Sequence, residues 1–164
     1  MNTRDVIPAM TRVFSELVDG TQPKGGLVLN KGDIGLLRSL DKLTAAEASA
    51  STNAGATIAA HAQHLRFGLS LMNRWAAEGG DPFSDAAWDA AWKISRVDAR
   101  AWDEIREGLR TEAHNWLGTL GTPRDANDIE LAGLIASIAH LGYHLGAIRQ
   151  IAKDARGPIE GSFS

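Results

Sequence analysis

Apolar residues recur three and four positions apart in four long stretches of the chain, the spacing that lines one face of an α-helix. In the first, residues 3–18, the stripe is Val6, Ile7, Met10, Val13, Phe14, Leu17 and Val18. Pro8 falls in its early turns, where a missing amide costs little, so the regular helix is predicted to start at about Ile7 and to end at Asp19-Gly20. The second stretch, residues 57–75, opens on Thr57 as a predicted cap. The third, residues 98–120, has the inner stripe Trp102, Ile105, Leu109, Ala113, Trp116 and Leu120. The fourth finds caps at residues 125–128 and runs to about Lys153. It is apolar nearly all round, with Leu131, Leu134, Ile135, Ile138, Leu141 and Leu145 on one side, which predicts the most buried helix of the four.

The connections are short and carry their own signals. Residues 21–26, with Pro23 and paired glycines, read as a loop. Residues 27–29 have no alternating partner strand anywhere else and read as an apolar loop packed on the helices. Asp33 is placed to cap a short helix through Leu40, and Thr44-Ala-Ala-Glu47 has the form of a capping box. After the turn at residues 78–82, FSDAAWDAAWK sets Trp88 and Trp92 four apart on a predicted short helix, positioned to stack on a neighbouring helix or a second subunit. The expected fold class is all-α: a four-helix bundle with short additional helices in the connections, one domain over residues 1–156 and a C-terminal tail over 157–164.

Composition narrows what such a bundle does. At 164 residues the chain is long enough to bury a core unaided, so a metal would need a reason other than structural support. It has no cysteine, which removes thiolate metal sites and cysteine nucleophiles and leaves histidine and carboxylates as ligands. A net charge of -3 and a pI near 5.9 argue against nucleic acid as a partner. The first residues lack the apolar core of a secretory signal, and no unbroken apolar run approaches the ~18 residues of a spanning helix. The expectation is a soluble, cytoplasmic protein without a membrane partner.

The candidate chemistry lies in the five histidines. In residues 139–151, AHLGYHLGAIRQI, His140 and His144 are four apart and project from one helix face, close enough to share a metal ion. Gly133, Ser137, Ala147 and Ile151 surround them, and three of these are small. On the second long helix, about 100° per residue puts Gln63, Arg66, Ser70, Asn73 and Arg74 on a wet face, and His61 and His64 on the opposite stripe with Gly68, Leu71, Met72 and Trp75. His114 falls with Asp103, Glu107 and Arg110 on the outer side of the third helix and reads as a surface residue. A single histidine on an apolar stripe is usually a core residue. An i, i+4 pair with a partner from a second helix is instead a standard way to present three imidazoles to one divalent ion. The third ligand is His61 or His64. The pair lacks the glutamate of HExxH, and the di-iron bundle pattern of glutamates is absent, which points to one metal rather than two.

IAAHAQHLRF with HLGYHLGAIRQI resembles the DinB/YfiT-like superfamily, which includes bacterial low-molecular-weight-thiol transferases and thiol-dependent isomerases. The resemblance spans essentially the whole chain. It implies a divalent metal, nickel or zinc, held by a histidine near the middle of the second long helix and an HxxxH on the last. Counted from Ala56-Thr57, where the family carries an aromatic instead of Ala56, those ligands are His64, His140 and His144. His61 then becomes a neighbour of the ligands, a second donor behind them or a proton shuttle. The resemblance also implies a homodimer.

Three neutral imidazoles leave a bound ion its full positive charge, which lowers the pKa of bound water or stabilises a thiolate. Two enzyme readings follow: transfer of a metal-activated small thiol to a small-molecule substrate, favoured by the resemblance, and hydrolysis. A non-catalytic, metal- or ligand-binding dimeric bundle is the third. Arg149, Gln150 and Arg74 are candidates for an anionic substrate group, against the plainer reading of solvated helix positions.

Overall fold

Three of the four long helices form where an apolar stripe meets a side chain able to satisfy the first free amides; the first instead carries Pro8 in its opening turn and no side-chain cap. The computed structural model describes residues 2–158. Its helices are α1 (Ile7–Asp19), α2 (Gly35–Asp41), α3 (Ala45–Ala48), α4 (Ile58–Glu78), α5 (Ala99–Leu120) and α6 (Asp128–Ile151), with 3-10 turns at Thr3–Asp5, Ala91–Lys93 and Lys153–Ala155. Among the described residues there is no β-strand. Thr57 caps α4 by accepting from the Ala60 amide, Asp98 caps α5 through Ala101, and Asn127 with Glu130 forms a reciprocal capping box on α6. Thr44 and Glu47 form the same box on the single turn of α3. Of the tail, residues 159–164 lie outside the described part.

The core is continuous through these elements. Phe14, Leu36, Leu37, Ile58, Leu65, Leu109, Trp116, Leu141 and Ile148 are all buried in it. Each such side chain contributes about 1.5–3 kcal/mol through burial. The two fully buried indoles have their N–H groups satisfied, Trp102 by the Leu43 carbonyl at 2.8 Å and Trp116 by the Ser137 hydroxyl at 2.9 Å. α4 runs along α5 and also packs on α6, while α1 closes against α2, α5 and α6.

Four expectations need correction. α6 is not the most buried long helix: five of its residues are buried against nine in α4. Its apolar character continues onto a flank that no helix covers, where Ile129, Ile135 and Tyr143 are 84%, 53% and 70% exposed. A window that tolerates a few polar residues also finds α6 long and apolar enough to cross a bilayer, with mean hydropathy 1.5, where the criterion of an unbroken apolar run does not. The polar face of α4 is not wet. Its Arg66 donates to the Glu104 carbonyl and Asn73 to Glu112, both on α5, and a Cβ on Gly108 would overlap the Arg66 guanidinium. That face is therefore a polar helix–helix contact.

Residues 83–93 do not form an α-helix. They make turns and the 3-10 turn Ala91–Lys93, because their two tryptophans pack down onto α4 and that tertiary contact outweighs the weak helical preference of so short a segment. The loop at residues 27–29 packs only through Leu29, with Leu27 and Val28 exposed. Its backbone is what is held. The carboxylate of Glu16, buried on α1, accepts from the amides of Leu27, Val28 and Leu29, each at 2.7 Å. Burial works to raise the pKa of this carboxyl, and the three amides with Arg12 outweigh it, so the group is held below the usual glutamate value. Gly26 is required at the entrance because a Cβ there would overlap the same carboxylate.

Asp33, expected as a helix cap, accepts from the Gly35 amide at 2.8 Å and also pairs with Arg149 at 2.7 Å, tying this loop to the end of α6. Glu16→Gln leaves too few acceptors for the three amides, and we expect it to lower unfolding free energy by about 1–3 kcal/mol, read as a lower urea midpoint, with Leu27→Ser near neutral.

Candidate metal centre

α4 and α6 each carry two histidines, and the two helices meet at them. On α4, His61 and His64 lie one turn apart; on α6, His140 and His144 do the same. Gly68, one turn beyond His64, faces the same seam: a Cβ there would rest in ordinary contact with Trp88 at 3.7 Å and the His140 ring at 3.9 Å, and any longer side chain would reach the space beside His140. One ring nitrogen from each of His64, His140 and His144 falls in a single cluster whose members lie within 4.8 Å of one another. His140 Nε2 is 3.2 Å from His64 Nε2 and 2.9 Å from His144 Nε2.

That convergence is difficult to satisfy with protons alone. A ring nitrogen has one in-plane lobe, either an N–H or a lone pair, and His140 Nε2 faces two partners with it. A cation placed among three lone pairs resolves the conflict, and an all-imidazole set suits a divalent transition metal, so these residues fit such an ion.

His61 does not join the three. Its Nδ1 lies 2.8 Å from Nδ1 of His144, on the ring nitrogen that faces away from the cluster. Which ring carries the intervening proton depends on the tautomer. When His144 offers Nε2 as a lone pair its proton sits on Nδ1 and His61 accepts it, the arrangement by which a second histidine orients a ligand. His64 lacks such support: its Nδ1 is buried without a hydrogen bond. Packing holds this ring instead, through Trp92 stacked on it at 4.4 Å between centroids and 29° between planes, and Trp88 at 5.8 Å.

Burial and mutual repulsion keep the cluster uncharged. Burial, followed by His140 and His61, pushes His64 down to about 4, and burial, followed by His140, His61 and His64, pushes His144 down to about 3. Burial also lowers His61 and His140. Neutral imidazole is the form that binds metal.

The remaining candidates are elsewhere. His114 is exposed on α5, where its Nε2 lies 3.0 Å from Asp19. Arg149 and Gln150 line a separate cavity with Asp33 and Lys153, and Arg74 donates to the Pro82 carbonyl. Gly133 and Ser137, picked out in the sequence as small neighbours, do line open space beside His140. The sequence did not mark Trp88 and Trp92 as walls of the site. Their spacing was visible, but the turn geometry that lays both rings over α4 was not. Comparisons with protein-family models, curated proteins and solved structures returned no match.

A histidine whose folded-state pKa lies below its unfolded value of about 6.5 stabilises the fold fully above that value, and the stabilisation is lost as pH falls toward the folded value. With folded values of about 4 and about 3 for His64 and His144, the metal-free protein is expected to lose thermal stability steadily from about pH 6.5 down to about pH 3. His144→Gln should flatten that slope. A melting temperature by circular dichroism that stays level across this interval would contradict a neutral buried cluster.

Proposed function

We propose that this chain is a DinB/YfiT-like protein, a four-helix bundle of α1, α4, α5 and α6 that holds one nickel or zinc ion on His64, His140 and His144. Its activity in this reading is metal-dependent transfer of a low-molecular-weight thiol to a small electrophilic substrate. The observation that carries it is the meeting of three Nε2 atoms, with His140 facing both others at 2.9 and 3.2 Å. The spacing of the histidines within IAAHAQHLRF and HLGYHLGAIRQI supports the family.

A divalent ion on neutral ligands supplies a full positive charge that favours thiolate over thiol at neutral pH. The chain's own residues do the rest. His61 fixes the tautomer and angle of His144, and Trp92 shields His64 from water. Among the described residues, neither the cluster nor the inner part of the cavity beside His140 includes a carboxylate. A thiolate needs no general base to attack, whereas hydrolysis gains from one, so this supports transfer over hydrolysis. Transfer forms a sulfur–carbon bond to the electrophile, whose leaving group departs with the bonding pair, and the thiol proton passes to solvent. The uncovered apolar flank of α6 supports a homodimer, and the reading takes the protein as cytoplasmic.

Untagged protein is expected to hold about one nickel or zinc per chain by elemental analysis. His64→Ala should abolish stoichiometric binding, and His61→Ala should keep the stoichiometry with affinity lowered about 10–100-fold. Protein that takes up neither metal would overturn the proposal. Paramagnetic nickel should quench Trp92 fluorescence, and Trp92→Phe should lose most of that quenching. A conjugation assay with small thiols then tests turnover: thiol-dependent product supports transfer, and turnover of an ester without thiol would assign hydrolysis instead.

A further inference from the structure

An apolar trench leads away from His140 between α4 and α6. Its inner part, about 250 Å³, is lined by Leu65, Leu69, Met72, Phe83, Trp88 and Leu141 with Gly68, Gly133, Ala136, Ser137 and His140. The outer part, about 290 Å³, shares Met72, Phe83 and Gly133 with it and ends at Trp75, Asp81, Ile129 and Glu130. Either part alone falls below the ~300–1,000 Å³ typical of small-molecule sites, and the two joined fall within it.

Three features make the trench a site rather than a packing defect. Glycine stands at Gly133, on the shared wall, where an added Cβ would meet nothing within 4 Å; space is left there that a larger residue would fill. The roof is aromatic: Phe83 and Trp88 lie parallel, 6.5 Å apart and 6° between planes, and Trp88 also packs edge-on against Phe67 at 5.5 Å. The polar groups are sorted by position. Ser137, in the inner part, already accepts from Trp116 and donates to the Leu134 carbonyl, which leaves His140 as the one titratable group of that part, whereas the outer mouth carries two carboxylates, Asp81 and Glu130.

We propose that this trench binds the substrate's apolar portion, an uncharged aromatic or branched-alkyl group, with the reacting end at the histidine cluster and the far end at the Asp81–Glu130 mouth. The apolar lining gives a charged group no partner inside, and the two carboxylates disfavour an anionic end group at the exit. The substrate class is therefore a neutral or cationic amphiphile with an apolar body. The assignment of the reacting end rests on the proposed function of the histidines; binding in the trench does not need the ion.

The test uses N-phenyl-1-naphthylamine, neutral and fluorescent in apolar surroundings, and its sulfonated relative 8-anilino-1-naphthalenesulfonate. The neutral probe is expected to bind the full chain stoichiometrically and at least tenfold more tightly than the anionic one. Gly133→Leu and, separately, the exposed-side variant Ala136→Trp should each weaken it at least tenfold while melting temperature and metal content stay as in the parent. His64→Ala should lose metal yet keep the probe, which separates failure of the metal reading from failure of this one. Asp81→Asn combined with Glu130→Gln should narrow the gap between the probes. Retention of parental probe affinity by folded Gly133→Leu and Ala136→Trp proteins, or preference for the sulfonate, would overturn the proposal.

Discussion

The close approach of α4 to α6 at their histidines is the constraint on which the rest of this structure depends. Four imidazoles occupy the contact between the two helices, two from each. Burying them charged would cost several kcal/mol apiece, so the packing commits them to the neutral form. Neutral rings need partners for both nitrogens, and the helices supply those partners mostly from each other. The ladder from His61 through His144 and His140 to His64 is the outcome, with three Nε2 atoms converging where His140 faces both His64 and His144.

α4 has to serve two unlike neighbours at once. Toward α5 it presents Arg66, which lies over Gly108 and donates to the Glu104 carbonyl, and Asn73, which donates to the Glu112 carbonyl and carboxylate. Toward α6 it presents Gly68 and the histidines. A polar seam on one side and a small-residue seam on the other explain why neither edge of α4 behaves as a plain hydrophobic stripe. They also explain why space survives beside His140: Gly68 on α4 and Gly133 on α6 omit the side chains that would close it.

Helix positions were legible from periodicity and capping chemistry, because Thr57 and the Thr44–Glu47 box act within a few residues of themselves. That His140 and His144 share a face opposite one of His61 or His64 was legible from residue spacing, but spacing did not choose between the two: the resemblance favoured His64, and the structure groups His64 with His140 and His144. What escaped depends on long-range contacts. Arg66 and Asn73 look like solvent residues until α5 arrives to accept their protons. α6 looks central because it is apolar all round, but apolarity does not say how many neighbours cover a helix. The tryptophans of residues 83–93 look helical because four-residue spacing is shared by a helix and by turns that happen to lay two rings on one surface.

The cover over the histidines is built from turns and one 3-10 turn, not from an α-helix. The backbone–backbone hydrogen bonds of residues 83–94 stay within that segment, and its links outward run through side chains, such as the Thr57 hydroxyl donating to the Ile94 carbonyl at 2.7 Å. Its attachment is chiefly aromatic surface laid on α4, which is non-directional and can be re-formed after a slide. The rings are held by α4 and α6 while the cover over His64 is held chiefly by indole surface, so loosening of the cover is separable from loosening of the ligands.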